Sequence, residues 1–572
     1  MKNREIADMF EAIADMLELL GGNAFRVNSY RKASRVIGDL TDDVADLAEA
    51  GRLQKLPGIG ASTAKKIVEY IETGTMERYE KLAAEVPEGV IEMMHVPGVG
   101  PKTAGLVYKE AGIHSVTGLA EAIEAGQLTD LPGLGPKKLE NILKGVAVYL
   151  AGQERVLLGR ALPVAEEIAE AMRKVRGVRE VLPAGSLRRR RETVGDIDIL
   201  VASTEGKAVV EAFVGLRQVR DVLAAGETKG SVRVEGGLQV DCRVVPPECF
   251  GAAAQYFTGS KAHNVRLREI AIARKLKLNE YGVFRGDEPV AGETEEEVYA
   301  ALGLPWIPPE LREDRGEIEA AQAGELPELV ELDDIQGDLH LHSTWSDGGA
   351  SIEQMAEACR ALGYHYLCVT DHSQSLTIAG GLGPEQLARQ REEIDELNKT
   401  LEGFRILAGC EVDILGDGSL DLPDDVLAGL DFVIASIHTG MTQSTDRITR
   451  RIVAATEHPH VHAIAHPTGR IIGQREPYAI DFEALVRAAA DTGTALEINA
   501  YVERLDLNAV HARAARDAGV RLVINTDAHA PDQLAMMRFG VATARRGWGA
   551  KEDVLNALPL KKLLAVLKRK HA

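Results

Sequence analysis

The stretch Gly185-Ser186-Leu187-Arg188-Arg189-Arg190-Arg191-Glu192-Thr193-Val194-Gly195-Asp196-Ile197-Asp198 decides how the first half of this 572-residue chain is read. Asp196 and Asp198 stand two apart, and side chains alternate along a β-strand, so both carboxylates face one side. Two such charges about 5 Å apart repel by about 3 kcal/mol at an effective dielectric of about 20. A divalent cation removes that penalty, and ligands that are oxygens alone select a hard ion, Mg2+ or Mn2+. A third carboxylate, Asp241, interrupts the apolar run Leu238-Gln239-Val240-Asp241-Cys242-Arg243-Val244-Val245. Three carboxylates on neighbouring strands can hold two ions, one lowering the pKa of an attacking hydroxyl and the other steadying a leaving pyrophosphate. The turn at Ser186 and Arg189 supplies hydrogen-bond donors for a triphosphate. The strand-like runs VREVLPAGS, IDILVA and SVRVEG around this stretch predict a mixed α/β domain.

Toward the N-terminus the texture is helical. Ile6, Met9, Phe10, Ile13, Met16, Leu17 and Leu20 keep the spacing of one helix face until Gly21-Gly22. One pattern then recurs: LPGIGASTAKKI from Leu56, VPGVGPKTAGLV from Val96 and LPGLGPKKLENIL from Leu131. Such repeats predict helix–turn–helix units. The glycine pairs Gly58 and Gly60, Gly98 and Gly100, Gly133 and Gly135 let a partner approach the backbone closely. The N–H groups opening the next helix then point outward with the helix dipole behind them, a phosphate site that reads no bases. Lys65, Lys66, Lys102, Lys137 and Lys138 add positive charge just after each turn.

Toward the C-terminus, Pro- and Glu-rich residues 305–332 read as a linker. Beyond it, short apolar runs alternate with helical stretches, which predicts a parallel sheet or (β/α) barrel. Histidine follows the same division, since 12 of the 15 lie after residue 330. In Gly337-Asp338-Leu339-His340-Leu341-His342-Ser343 the H-x-H places both imidazoles on one face. Further candidates close successive strands: Asp347, His372, Glu411, His438, His466, Asp527 and His529. Strand ends converge on one mouth of a barrel, so these nine residues suffice for about three ions, and their mixed imidazole and carboxylate ligands suit zinc, manganese or iron. His365, His458, His460, His462, His511 and His571 match no strand end, and Cys359, Cys368 and Cys410 read as small core residues.

Composition narrows the field. With 45% hydrophobic and 27% charged residues the chain is globular, with about three to five domains expected. No run of about 18 apolar residues suggests a membrane span. The N-terminus has no signal-peptide core, and five scattered cysteines without a C-x-x-C fit a reducing cytosol. The net charge of −21 argues against a protein that coats nucleic acid. Residues 331–572, with 24 basic and 35 acidic residues, carry −11 of it, so the histidine-rich half suggests metal before phosphate.

Residues 1–300 resemble the family X DNA polymerases, the group of polymerase beta. The likeness rests on Asn28-Ser29-Tyr30-Arg31-Lys32-Ala33, the glycine hairpins, GS…GDID, VDCR, Tyr256-Phe257-Thr258-Gly259-Ser260 with Asn264 and Arg268, and Asn279-Glu280-Tyr281-Gly282. It implies Asp196, Asp198 and Asp241 as catalytic ligands of Mg2+ or Mn2+. Nucleotide contacts would fall to Ser186, Arg189, Gly195, Tyr256, Phe257, Gly259, Lys261 and Asn264, and DNA contacts to the six hairpin glycines, Arg243 and Arg268. Lys261 stands where polymerase beta has an acid, and the third hairpin is an addition. Residues 337–572 resemble the PHP (polymerase and histidinol phosphatase) domains through DLHLHS, TDHS, the glutamate, the I-H and the closing D-x-H. That likeness implies a distorted (β/α)7 barrel hydrolysing phosphoesters with about three Mn2+ or Zn2+ ions. All nine ligand positions are filled, so the domain is expected to be active, and beside a family X polymerase to be a manganese-dependent 3′–5′ exonuclease.

The expected architecture is therefore multidomain, helical followed by α/β. It comprises an 8-kDa-like DNA-binding domain over 1–85, helix-hairpin-helix fingers over 86–152 and a nucleotidyltransferase palm over 153–250. A thumb over 251–312, a linker over 313–336 and a PHP domain over 337–572 complete it. The expected substrates are gapped or nicked double-stranded DNA and dNTPs, in base excision repair, for a monomer in the cytoplasm at the nucleoid. An alternative reading is a DNA-tethering module with a decayed polymerase site, or a PHP domain acting on a small phosphate; the intact aspartates argue against decay. Lys66 matches the polymerase beta lysine that attacks the aldehyde of a 5′-deoxyribose phosphate, with Lys65, Arg26 and Arg31 supplying the field that lowers its pKa. Ser62 replaces another of that family's lysines, so Lys66 as a plain phosphate contact stays open.

Overall fold

A computed structural model describes residues 3–570 apart from 21, 39, 41–43, 57, 84, 95, 97, 130 and 152–154. The helix stop at Gly21, the hairpin prolines Pro57 and Pro97, the boundary expected at 152/153, the side chain of Lys102 and His571 lie outside the described residues. The chain forms two compact units: 1–155 with 220–223 and 232–239, and the remainder.

Residues 3–151 of the first unit form helices joined by turns. Helix Asn3–Leu19 buries Ile6, Phe10, Ile13 and Leu17, and Phe10 stacks on Tyr30 of helix Ala24–Gly38 at 5.8 Å. Each hairpin leads into a helix: α1 (Ala61–Thr73), α2 (Pro101–Ala111) and α3 (Pro136–Ala151). The residue between the two glycines, Ile59, Val99 or Leu134, is at most 3% exposed and anchors the turn in the core. The glycines themselves face solvent.

Beyond residue 155, β1 (Glu180–Pro183), β2 (Asp196–Ala202), β3 (Val219–Ala225), β4 (Lys229–Val234) and β5 (Gln239–Val245) form one sheet in the order β1-β2-β5-β4-β3. Because β2 and β5 are neighbours, Asp196 and Asp198 come beside Asp241. A one-turn helix α4 (Gly185–Arg188) precedes β2. Helices α5 (Phe250–Thr258) and α6 (Lys261–Ala273) follow the sheet, then three short antiparallel strands over 277–291. Their core holds Leu267, Tyr299, Leu311 and Ile318, and Trp548 from the C-terminal part of the chain packs into it.

The segment 313–336, expected as a linker, is packed. Helix α7 (Glu317–Ala323) buries Ile318 and Ala321. The glutamates of this segment look solvated in the sequence, but residues distant in the chain partner them in the fold. Glu317 meets His263 at 2.6 Å with both side chains fully buried, and Glu313 lies 3.1 Å from both Arg189 and Arg546.

The C-terminal barrel has seven parallel strands in chain order: β6 (Gly337–Leu341), β7 (Tyr366–Val369), β8 (Arg405–Asp413), β9 (Phe432–Ser436), β10 (Ala463–Ile464), β11 (Ala495–Asn499) and β12 (Leu522–Asn525). Asp527 N–H donates to the His340 carbonyl and His342 N–H to that of Ala528, both at 2.9 Å, joining the first and last strands. Alternate residues feed two apolar clusters: Leu367 and Val369 enter one, Tyr366 and Cys368 the other. Cys359, Cys368 and Cys410 are all buried. Helix α8 (Met537–Arg546) covers the barrel near Trp548.

A buried ionic cluster ties α4 to the thumb-like region. Arg188 reaches both oxygens of Glu295, at 2.9 and 2.7 Å, and fully buried Arg312 reaches one at 2.6 Å. Burial alone would raise the Glu295 carboxyl, but Arg312 and Arg188 outweigh it and hold it at about 2. A depressed carboxyl stabilises the fold above its ordinary pKa of 4.5, and the contribution disappears as pH falls toward about 2. Acid titration followed by circular dichroism should therefore show stability falling across that window, by up to about 1.4 kcal/mol per pH unit for this group. Glu295→Gln should lower stability at pH 7 by about 3 kcal/mol and flatten this limb.

Candidate active sites and nucleic-acid interface

Asp196, Asp198 and Asp241 converge at one end of the sheet. Asp198 is the deepest: burial first, then the charges of Asp196 and Asp241, push its carboxyl up to about 7. Three acids destabilising one another is the electrostatic condition a divalent cation relieves. Ser231 donates to Asp241 through its hydroxyl, and Lys229 Nζ lies 3.6 Å from the same carboxylate. Gly185 is held at φ +63°, and a Cβ there would stand 2.3 Å from Asp198 Oδ2. Only glycine lets the α4 turn come this close to the carboxylates. A cavity of about 50 Å3 opens beside them, lined by Asp198, Asp241, Lys229, Arg243 and Phe257 among others.

Of the expected nucleotide contacts Phe257 lines this cavity, and the others have differing partners. Tyr256 and Phe257 meet edge to face at 5.2 Å, and the Arg243 guanidinium lies 5.4 Å from the Phe257 ring. Arg189 donates from Nε to Glu313 and from Nη1 to the Thr258 carbonyl, packing against Gly259. Asn264 is 8% exposed, its amide bonded to Gln255 and to the Tyr256 carbonyl. Lys261 and Arg268 are exposed on α6, Ser186 is half-buried in α4, and Gly195 is half-buried just before β2.

The hairpins have the form of a phosphate cradle. Gly58, Gly98 and Gly133 take left-handed φ of +93°, +89° and +80°. Gly60 and Gly100 have ordinary φ of −80° and −91° and cap α1 and α2 with no side-chain hydrogen bond. A Cβ at Gly60, Gly100 or Gly135 would meet nothing within 4 Å. The protein's own packing does not require glycine there, whereas close approach by an external partner would. On α1, Lys66 Nζ bonds to Ser62 Oγ at 3.0 Å and lies 5.8 Å from the Tyr30 ring. The expectation that Arg31 adds positive field at Lys66 needs correction. Its guanidinium is paired with Asp15 at 2.6 Å and Glu18 at 2.8 Å, so its charge is locally compensated.

In the barrel all nine expected residues gather at the C-terminal strand ends. Three overlapping groups have ligand atoms within 4.8 Å of one another: His342, Asp347, His372 and His529; His340, His342 and Asp527; His372, Glu411 and His438. His466 joins through Glu411 at 3.1 Å. Four buried polar atoms, His340 Nε2, His342 Nδ1, His372 Nδ1 and Glu411 Oε2, have no hydrogen bond. His372 Nδ1 and Glu411 Oε2 lie 2.8 Å apart but are misaligned for one. Orphaned buried donors and acceptors are costly, and bound cations would satisfy these lone pairs. The field points the same way. Burial lowers the His372 imidazole, yet Glu411 and Asp347 carry it up to about 10, and burial lowers His340 while Glu497, Asp527 and Glu411 raise it well above its ordinary value. His466 and Asp527 hold left-handed φ of +26° and +56°, strain concentrated at the site itself.

Sequence reasoning missed the residues behind these. Glu497 is fully buried on β11, 2.7 Å from His340 Nδ1, and accepts from the His466 backbone at 2.7 Å. Asp413 orients His438 at 2.6 Å. Asp371 gathers Ser343, Ser346 and Gln390. Such partners fix the ring orientation of metal-binding histidines. A glutamate inside the apolar run Ala495-Leu496-Glu497-Ile498 was the available signal. The discounted His462 is buried and accepts from Val433 N–H at 3.0 Å, while His511 is half-buried and burial of its ring pushes it down to about 4.

Family models match residues 1–76 to a helix-hairpin-helix domain, 90–147 to a SAM-like helix-hairpin-helix tandem, 253–313 to a DNA polymerase beta thumb and 338–501 to a PHP domain. Over 573 residues the chain is 45% identical to the DNA polymerase/3'-5' exonuclease PolX of Bacillus subtilis (strain 168), covering 100% of both chains. It is 26% identical over 344 residues to DNA polymerase lambda of Rattus norvegicus, 54% of this chain and 56% of that one. A probable phosphatase of Thermoanaerobacter sp. (strain X514) is 30% identical over 245 residues, 41% of this chain and 94% of that one.

If the barrel groups hold ions, Mn2+ at about one hundred times its Kd should stabilise the folded protein by about 2.7 kcal/mol over a chelator-treated sample. Calorimetry should show His342→Ala, which removes a ligand from two of the three groups, losing most of that shift. Superposable unfolding curves with chelator and with Mn2+ would refute the ligand assignment.

Proposed function

This chain belongs to the family X DNA polymerases that carry a C-terminal PHP domain, and from that premise we propose how its residues divide two reactions. It is a DNA polymerase filling short gaps, with a 3′–5′ exonuclease in the PHP domain, and it uses divalent metal at both sites. No helix among the described residues is long and apolar enough to cross a membrane.

The observation that carries the polymerase assignment is the convergence of Asp196, Asp198 and Asp241, with Asp198 pushed up to about 7. These aspartates would hold Mg2+ or Mn2+, which supplies charge neutralisation for the attacking 3′-hydroxyl and the leaving pyrophosphate. Ser186 and Arg189 hold the triphosphate beside Gly195. Tyr256, Phe257 and Gly259 bound the sugar, Lys261 adds positive charge, and Asn264 stands by the base. The hairpin glycines clamp the DNA backbone, assisted by Arg243 and Arg268. In the barrel His340, His342, Asp347, His372, Glu411, His438, His466, Asp527 and His529 would hold manganese or zinc, which activates water toward a phosphodiester. Glu497 and Asp413 keep the imidazoles of His340 and His438 oriented.

Asp198→Ala and Asp241→Ala should each lower single-nucleotide gap filling by at least about a thousandfold, roughly 4 kcal/mol, with DNA binding retained. Near wild-type extension by Asp241→Ala would refute the assignment. His342→Ala should abolish manganese-dependent 3′–5′ degradation of DNA while polymerisation persists. Comparing hydrolysis of a DNA 3′ end with that of a small phosphomonoester separates the nuclease reading from a small-molecule phosphatase.

Lys66 is the proposed nucleophile for 5′-deoxyribose phosphate removal, supported by its place on α1 beside exposed Lys65. Borohydride should trap a covalent adduct with a 5′-deoxyribose phosphate substrate that Lys66→Ala lacks. Equal yield from the variant would move the nucleophile to another lysine, and no adduct from either protein would leave the first hairpin as a phosphate clamp.

A further inference from the structure

The barrel and the polymerase core meet where the nucleotide-gripping turn lies. Arg470 forms a two-pronged pair with Glu192 at 3.0 and 2.8 Å, Arg545 meets Glu310 at 2.9 Å, and Arg538 meets Glu166 at 3.1 Å. In each the arginine comes from the barrel and the carboxylate from the core. Between these pairs lies a three-residue junction. Arg546, at the end of α8 and 7% exposed, donates from Nη1 to the backbone carbonyl of Arg189 and, at 3.1 Å, to Glu313 Oε1. The same Glu313 oxygen accepts from Arg189 Nε at 3.1 Å. One carboxylate oxygen thus bridges an arginine of each domain.

We propose that Arg546 is a positioning residue for DNA synthesis, holding Arg189 in its nucleotide-gripping pose through Glu313 and through the Arg189 backbone. The inference rests on the reading of Arg189 as a triphosphate contact. Glu313 and the Thr258 carbonyl take the Nε and one Nη1 donor, leaving Nη2 for the phosphate. Arginine loses little conformational freedom when its planar fork is held in this way. The neighbouring residue, Arg190, keeps the turn tight at φ +55°, a left-handed conformation that L-residues adopt at a cost. Trp548, two residues beyond Arg546, is buried in the thumb-like core and stacked under Arg513 at 3.9 Å, so the end of α8 is fixed against the polymerase side. Removing the Arg546 side chain would leave Glu313 with one cation fewer and the Arg189 carbonyl without its donor. Arg189 would then meet the nucleotide from a looser pose. The PHP barrel would thereby contribute to nucleotide affinity at a site where it touches no substrate.

The test is steady-state filling of a one-nucleotide gap by the full-length protein, comparing wild type with Arg189→Met, Glu313→Gln, Arg546→Met and Arg546→Lys. Arg546→Met should raise the KM for dNTP by about tenfold, with kcat and affinity for gapped DNA within about twofold of wild type. Glu313→Gln should shift KM the same way, and Arg546→Lys should restore most of the loss because it keeps the charge. Arg546→Met together with Glu313→Gln should cost less than the sum of the two, as expected for one network. An unchanged KM in Arg546→Met, while Arg189→Met raises it, would overturn the inference alone. A parallel fall of kcat and DNA affinity would also overturn it, marking a general structural role. An unchanged KM in Arg189→Met would instead overturn the nucleotide-contact reading beneath it.

Discussion

Like charges crowded at strand ends govern this protein. At both candidate centres, acids are brought closer than their mutual repulsion would allow without a counter-charge. In the palm-like sheet three aspartates share one end, and burial together with the neighbouring charges pushes Asp198 up to about 7. In the barrel Glu411 is 1% exposed; burial alone would raise its carboxyl, but His438, His372 and His340 hold it well below the ordinary range. Neither arrangement is one that folding would favour for stability alone, since buried charge must be offset by partners. The sheets supply the rigidity that keeps such groups together. Backbone hydrogen bonds and two apolar clusters hold the strands, and the ligands sit where the strands end.

Where charge is not destined for a metal, the fold pairs it. Glu295, Glu313 and Glu317 are each met by arginine or histidine at 3.1 Å or less. Glu313, paired with Arg546, makes the Glu-rich connection part of a seam between the polymerase core and the barrel. Arg546 on that seam links the barrel to Arg189, since Glu313 contacts arginines from both sides.

The hairpins use the opposite logic. They display backbone rather than charge, with glycines that no internal neighbour demands at Gly60, Gly100 and Gly135. With a net charge of −21 the chain has no general positive field, so the exposed backbone of these turns and the few lysines beside them are where the fold offers contacts to a phosphate.

Much of this was determined by the sequence itself. Strand periodicity set Asp196 and Asp198 on one face, the repeated P-G-x-G turns announced the hairpins, and the spacing of histidines at strand ends outlined a barrel mouth. These are local signals, carried by residues within a few positions of one another. Only the tertiary structure decided the rest, because it depends on which distant segments meet. Sequence spacing could not show that Glu497 lies against His340, 157 residues away, or that Asp413 orients His438. Nor could it show that Arg31 is spent on Asp15 and Glu18 rather than directed at Lys66. The linker expected over 313–336 is packed for the same reason: its glutamates find partners such as the His263 ring and the Arg546 guanidinium only after the chain has closed on itself. A charged residue reads as solvated until its partner is known, and partners across more than a hundred residues are a property of the fold.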